Sequence, residues 1–168
     1  MTMRTWRNGL VLGAALAACN GPEGVCVDES CDAAVPITIV DDGGAAGALR
    51  AGSYRFVLDA GYASKEWSCA LPADDCQLDF FTDFTDDDEV GTLSVQARLG
   101  ETGLAVQLLE TRGKTWSGPA KFSLTVERDG VMVAAQTFEP RYKRLTGSDA
   151  CVVCLTREGD PPVLHVPM

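Results

Sequence analysis

The chain has 168 residues, a hydrophobic content of 46% and a formal net charge of −10. That hydrophobicity excludes a disordered polymer, and the length suits one domain able to bury a core. The acidic balance opposes phosphate backbones and anionic lipid headgroups, so nucleic acid is excluded as a partner.

Arg4 and Arg7 precede a short apolar run from Leu10 to Leu16. The run is too short to cross a bilayer, which takes about 20 residues, and it suits the apolar region of an export signal. It ends in Leu16-Ala17-Ala18-Cys19. These residues resemble the signal peptide and lipobox of bacterial lipoproteins, in which Leu and two small residues precede the modified Cys. The resemblance covers only about the first 20 residues. It implies cleavage before Cys19, acylation of that cysteine and a lipid anchor, since two acyl chains already hold a protein stably on a membrane. Asn20 stands where Asp would retain such a protein on the inner membrane, which favours the outer membrane or cell surface. Residues 1–18 are thus read as signal peptide, 19–36 as a lipidated tether and 37–168 as the folded domain. Removal of Arg4 and Arg7 takes the charge to −12, which keeps a crowded tethered protein soluble.

With Cys19 bound to lipid, Cys26, Cys31, Cys69, Cys76, Cys151 and Cys154 remain. An even set in an exported chain reads as disulfides. Cys26 with Cys31 closes a small loop in the acidic, turn-rich tether. Cys69 with Cys76 closes a loop worth roughly 2.5 kcal/mol in the chain-entropy model. Cys151 and Cys154 stay open: in a strand they point to opposite faces and seek other partners, and in a turn they bond to each other.

From Ile37 the hydrophobic period becomes two. Ile37 to Val40 is a short apolar strand, and the Gly- and Ala-rich stretch from Asp41 to Gly52 is a loop. Tyr54, Phe56 and Leu58 share one face of the next strand, as do Leu78 and Phe80 further on. Leu93, Val95, Ala97 and Leu99 alternate with polar residues, and Leu104, Val106 and Leu108 repeat the pattern after a turn. Lys121 to Glu127 and Val131 to Phe138 form a hairpin about Asp129-Gly130, a pair suited to the positive φ angles of a type I′ turn. Pro119 and Pro140 bound this region, as expected at strand edges. The whole predicts an all-β, immunoglobulin-like β-sandwich of about seven to nine strands. That likeness is architectural, and no function comes with it.

Four candidate sites stand out. Cys151-Val152-Val153-Cys154 has the spacing of a redox pair, which supports an exported thiol-disulfide oxidoreductase as an alternative function. The segment after Cys154 does not read as the helix such a centre uses, so a structural disulfide is the primary reading. The stretch from Asp74 to Glu89 holds eight of the chain's 24 acids and no Lys or Arg. Asp83, Asp86, Asp87, Asp88 and Glu89 are the candidate ligands for calcium, which makes a calcium-dependent binding module the other alternative. Their spacing does not fit the EF-hand loop, so the primary reading is a solvated loop that discourages edge pairing. Trp67 is assigned to the core. Trp116 is assigned to an exposed loop as an interaction residue. His165 stands alone, without a nucleophile motif. The function expected is a lipid-anchored, non-catalytic envelope module that needs no cofactor and binds an unidentified protein or glycan.

Overall fold

The computed structural model describes residues 33–43, 48–145 and 153–167. The expected signal peptide, Cys19, Cys26, Cys31 and Cys151 lie outside them. Within them the chain is all-β, a β-sandwich of two sheets, with no helix among the described residues.

The strands are β1 (Val35–Asp41), β2 (Gly52–Asp59), β3 (Ser64–Leu71), β4 (Leu78–Asp86), β5 (Glu89–Gly100), β6 (Gly103–Arg112), β7 (Thr115–Ser117), β8 (Phe122–Arg128), β9 (Val131–Phe138), β10 (Tyr142–Arg144), β11 (Val153–Arg157) and β12 (Val163–Val166). Seven of them sit where the alternation predicts, and β3 carries Trp67, the tryptophan assigned to the core. The other four, β7, β10, β11 and β12, take the count past the seven to nine expected. Each is three to five residues long, too short to display a period.

Strands β3-β2-β8-β9 form the smaller sheet, and the other eight form the larger. In the larger sheet β6 is central. Strand β5 pairs along its whole length on one side. On the other side β1 pairs with its first half and β7 with its last three residues. The junction is tight: a Cβ on Gly118 would lie 2.1 Å from Val35 Cγ2, so only glycine lets the chain leave β7 past the start of β1. Strand β12 adds parallel to β1, β11 adds parallel to β7, and β10 closes that branch.

Both inner faces follow from period two. Ile37, Ile39, Leu93, Val95, Leu104, Val106 and Leu108 of the larger sheet are fully buried. They meet Tyr54, Phe56, Leu58, Phe122, Leu124 and Val126 of the smaller one. Cross-strand aromatic pairs set the register of the smaller sheet: Phe56 stacks on Trp67 at 4.9 Å, and Phe122 on Phe138 at 5.0 Å. Trp67 is a core residue, as expected, and is 8% exposed. The sandwich closes on one flank where the Cys69–Cys76 disulfide joins the end of β3 to the approach to β4. Nearer the start of β3, Lys65 lies over the Phe80 ring of β4.

The hairpin turns come from aspartate as well as glycine. Asp129 and Gly130 have φ of 53° and 80°, the predicted type I′ geometry. Asp87 and Asp88 also take positive φ, 48° and 65°, and turn β4 directly into β5. The acidic stretch read as a loop is therefore mostly strand β4 and its two-residue turn into β5. Aspartate tolerates the left-handed region better than most residues, because its short side chain bonds the local backbone.

Candidate functional site

Alternation that sends one set of side chains inward sends the other to the surface, so each sheet has an outer face. On the larger sheet the register places residues in rows. Asp83, Thr92, Thr111 and Trp116 form one row across β4, β5, β6 and β7, and Phe81, Ser94 and Leu109 form the adjacent row. Asp79, Gln96, Gln107 and Pro36 form the row after that. Thr85 and Val90 end the face at the β4–β5 hairpin.

Two large apolar side chains stand exposed on this otherwise mainly polar face. Phe81, in the middle of β4, is 76% exposed, and Val90 is 66% exposed. Leu109 and Trp116 are half-buried. Trp116 lies in strand β7, not in the loop expected for it. Its register with Thr111 puts it on the same face as Phe81, which the alternation alone did not single out, and its other neighbour in the row is the fully buried Cys154. Around the Phe81 ring the neighbours carry hydrogen-bonding groups. The Thr92 hydroxyl donates to Asp83 at 2.8 Å, and the Gln96 amide donates to Asp79 at 3.4 Å. Each carboxylate keeps further lone pairs for a ligand.

The titratable groups buried inside the sandwich serve structure. At one end Asp41 has no exposed side-chain surface. Arg50 grips both its oxygens at 2.7 Å, Gly43 N–H donates at 2.9 Å and Arg128 from the other sheet at 3.2 Å. The bond from Arg50 holds the Asp41 carboxyl below the ordinary aspartate range despite the cost of burial. At the opposite end Glu110 is 5% exposed and accepts from the Tyr62 hydroxyl and from Arg112. Arg112 also pairs with Asp86 at 3.0 Å and lies over the rings of Tyr62 and Phe84. Burial and the Glu110 charge push the Tyr62 hydroxyl pKa upward. Both clusters tie the two sheets, and each charge in them lies against one of opposite sign.

The remaining sequence candidates are placed as follows. Asp86 is bound to Arg112, Asp83 to Thr92, and Asp87 and Asp88 form the turn. No group of three or more His, Cys, Asp or Glu side chains converges as a metal site among the described residues. Cys69 and Cys76 are bonded to each other, as the spacing suggested. Cys154 lies in β11, is fully buried and is disulfide-bonded. His165 contacts Asp42 at 2.6 Å on the surface. A groove of about 500 Å³ runs beside Phe138, Arg141, Arg157 and Pro162. The Arg157 guanidinium there donates to the carbonyls of Glu158, Gly159 and Asp160, closing its own turn.

No protein-family model matches the chain, and neither a curated protein nor a solved structure shows significant similarity to it.

Proposed function

We propose that the protein is a non-catalytic binding module of the bacterial cell envelope. Its lipid anchor is Cys19, and its immunoglobulin-like sandwich presents the outer face of the eight-stranded sheet to a ligand. The lipobox resemblance supports the anchor and the address. The observation that carries the binding role is Phe81, three-quarters exposed in mid-strand, on one face with Val90, Leu109 and Trp116. Single exposed apolar residues are ordinary, but a phenylalanine left three-quarters exposed at the middle of a sheet face, with Leu109 and Trp116 further across it, supports an interaction surface. The disulfide-bonded Cys154 is buried, which supports a cross-linking role for that cysteine over redox exchange.

Co-sedimentation tests this reading. The full chain, lipidated, is mixed with cell-envelope fragments from cells lacking it, beside a Phe81→Lys variant and an Arg55→Ala variant on the opposite face. The proposal requires that Phe81→Lys lose most of the bound fraction beyond what the lipid alone retains, and that Arg55→Ala keep it. Equal binding by all three overturns it. Mass spectrometry of native material checks the anchor: an unacylated residue 19 removes it.

A further inference from the structure

Resting on that binding face, we infer that its ligand is a neutral polysaccharide, whose hexopyranose units stack on Phe81 and Trp116.

The chemistry of the face selects the occupant. Phe81 is an apolar island ringed by acceptors and donors. Asp79 and Asp83 flank it along β4, Ser94 stands opposite on β5, and Thr92 and Gln96 lie on the diagonals. A ligand that fits must have an apolar face about the size of a ring and a polar rim. A hexopyranose has both. Its axial C–H groups meet the negative face of an aromatic ring, and its hydroxyls project around the edge. Those hydroxyls donate to the open lone pairs of Asp79 and Asp83 and to the Thr92 oxygen, whose own proton is held by Asp83, and they accept from Ser94 and from the second N–H of the Gln96 amide. The bonds to the carboxylates are charge-assisted and the stronger ones.

The same two carboxylates argue against the other occupants. A protein partner would bury Asp79 and Asp83 and would need cations placed to match both, since an unpaired buried charge is costly. An anionic polymer would meet like charge on a chain that is already acidic. A neutral, hydroxyl-rich chain satisfies the carboxylates and leaves the rim wet.

The spacing suits a chain. Phe81 on β4 and Trp116 on β7 are separated by three strand spacings, about 14 Å across the sheet. Ser94, Leu109 and Thr111 lie between them. The two rings thus offer separate stacking platforms for units of one extended polymer.

Affinity electrophoresis of the full chain tests this, in gels containing amylose, hydroxyethylcellulose or galactomannan, with polygalacturonate as the anionic comparator. The expected result is retardation by at least one neutral polymer and none by polygalacturonate. Phe81→Ala and Trp116→Ala should each weaken that retardation about tenfold, the scale of an aromatic hot spot. Phe81→Tyr should keep it within about twofold, because the ring is retained, and Arg55→Ala should leave it unchanged. No retardation by any neutral polymer overturns the polysaccharide assignment. If Phe81→Lys still abolishes the envelope co-sedimentation, the face stands with a different occupant, and if it does not, both readings fall. Retardation that Phe81→Ala leaves intact places the sugar elsewhere and overturns the assignment as well.

Discussion

The two outer faces of the sandwich obey the same alternation and differ at their centres, although the smaller sheet also exposes Met132 beside Glu127 at its β8–β9 edge. On the smaller sheet Arg55 stands between two acids. It forms a two-pronged pair with Glu66, both contacts at 2.7 Å, and a third contact to Glu127 at 2.8 Å. These bonds raise the Arg55 pKa and lower that of Glu66, as expected of charges that serve each other. On the larger sheet the corresponding positions hold Phe81, Val90, Leu109 and Trp116 among hydroxyls and amides. A face whose charges are internally paired has little left to offer a ligand. A face that leaves rings in water gains nothing from them until something covers them. The difference separates a centre of paired charges from a centre that holds an uncovered aromatic ring.

That contrast supposes a frame on which either face can be altered alone, and the strongest test attacks the frame. Asp41→Asn removes the buried charge that Arg50 and Arg128 share. It should cost about 3 kcal/mol in a denaturant titration, while binding per folded molecule stays unchanged. The pH dependence has a definite sign. The Asp41 pKa is lower in the folded state than in the unfolded one, so the unfolded state takes up the proton more readily. Its stabilisation is complete above the ordinary aspartate range near pH 4 and is lost as pH falls below it. Asp41→Asn should therefore flatten the acid limb of the melting-temperature profile. Next in size, replacing Cys69 and Cys76 together with serine should cost roughly 2.5 kcal/mol and again spare binding. Trp116→Ala comes third, with about a tenfold loss of ligand affinity, or about 1.4 kcal/mol. Arg55→Ala is the smallest. It should leave binding untouched and give a slight fall in melting temperature that high salt abolishes, because the network it breaks lies in solvent. A loss of binding in Arg55→Ala would break the contrast between the faces.

The sequence reached as far as its periodic segments. Leu93, Val95, Ala97 and the matching run from Leu104 declared their buried face because every second residue packs in the core. The Asp129-Gly130 hairpin was legible because only a few residue pairs accept its φ angles. Asp87-Asp88 makes the same kind of turn, but a run of acids reads first as charge and only second as geometry. Trp116 was singled out and misplaced: a three-residue strand has no period, and its place depends on β6 and β11, which approach it only in the folded sheet. Phe81 was missed because it sits next to Phe80, and an adjacent aromatic looks like more core. In a strand adjacent residues face opposite ways, so Phe-Phe in an otherwise alternating run signals one ring in and one ring out. Asp41 and Glu110 gave no local sign either, since their partners Arg128 and Tyr62 meet them only across the folded sandwich.

The central claim is that ligand is met on one face and not the other, and side-chain oxidative footprinting reads both at once. The full chain is labelled free and then bound to envelope fragments, and oxidation is mapped by mass spectrometry. The account predicts protection of Phe81, Leu109 and Trp116, with no change at the residues beside Arg55 on β2, β3 and β8. Protection on the smaller sheet, with Phe81 still fully labelled, would contradict it.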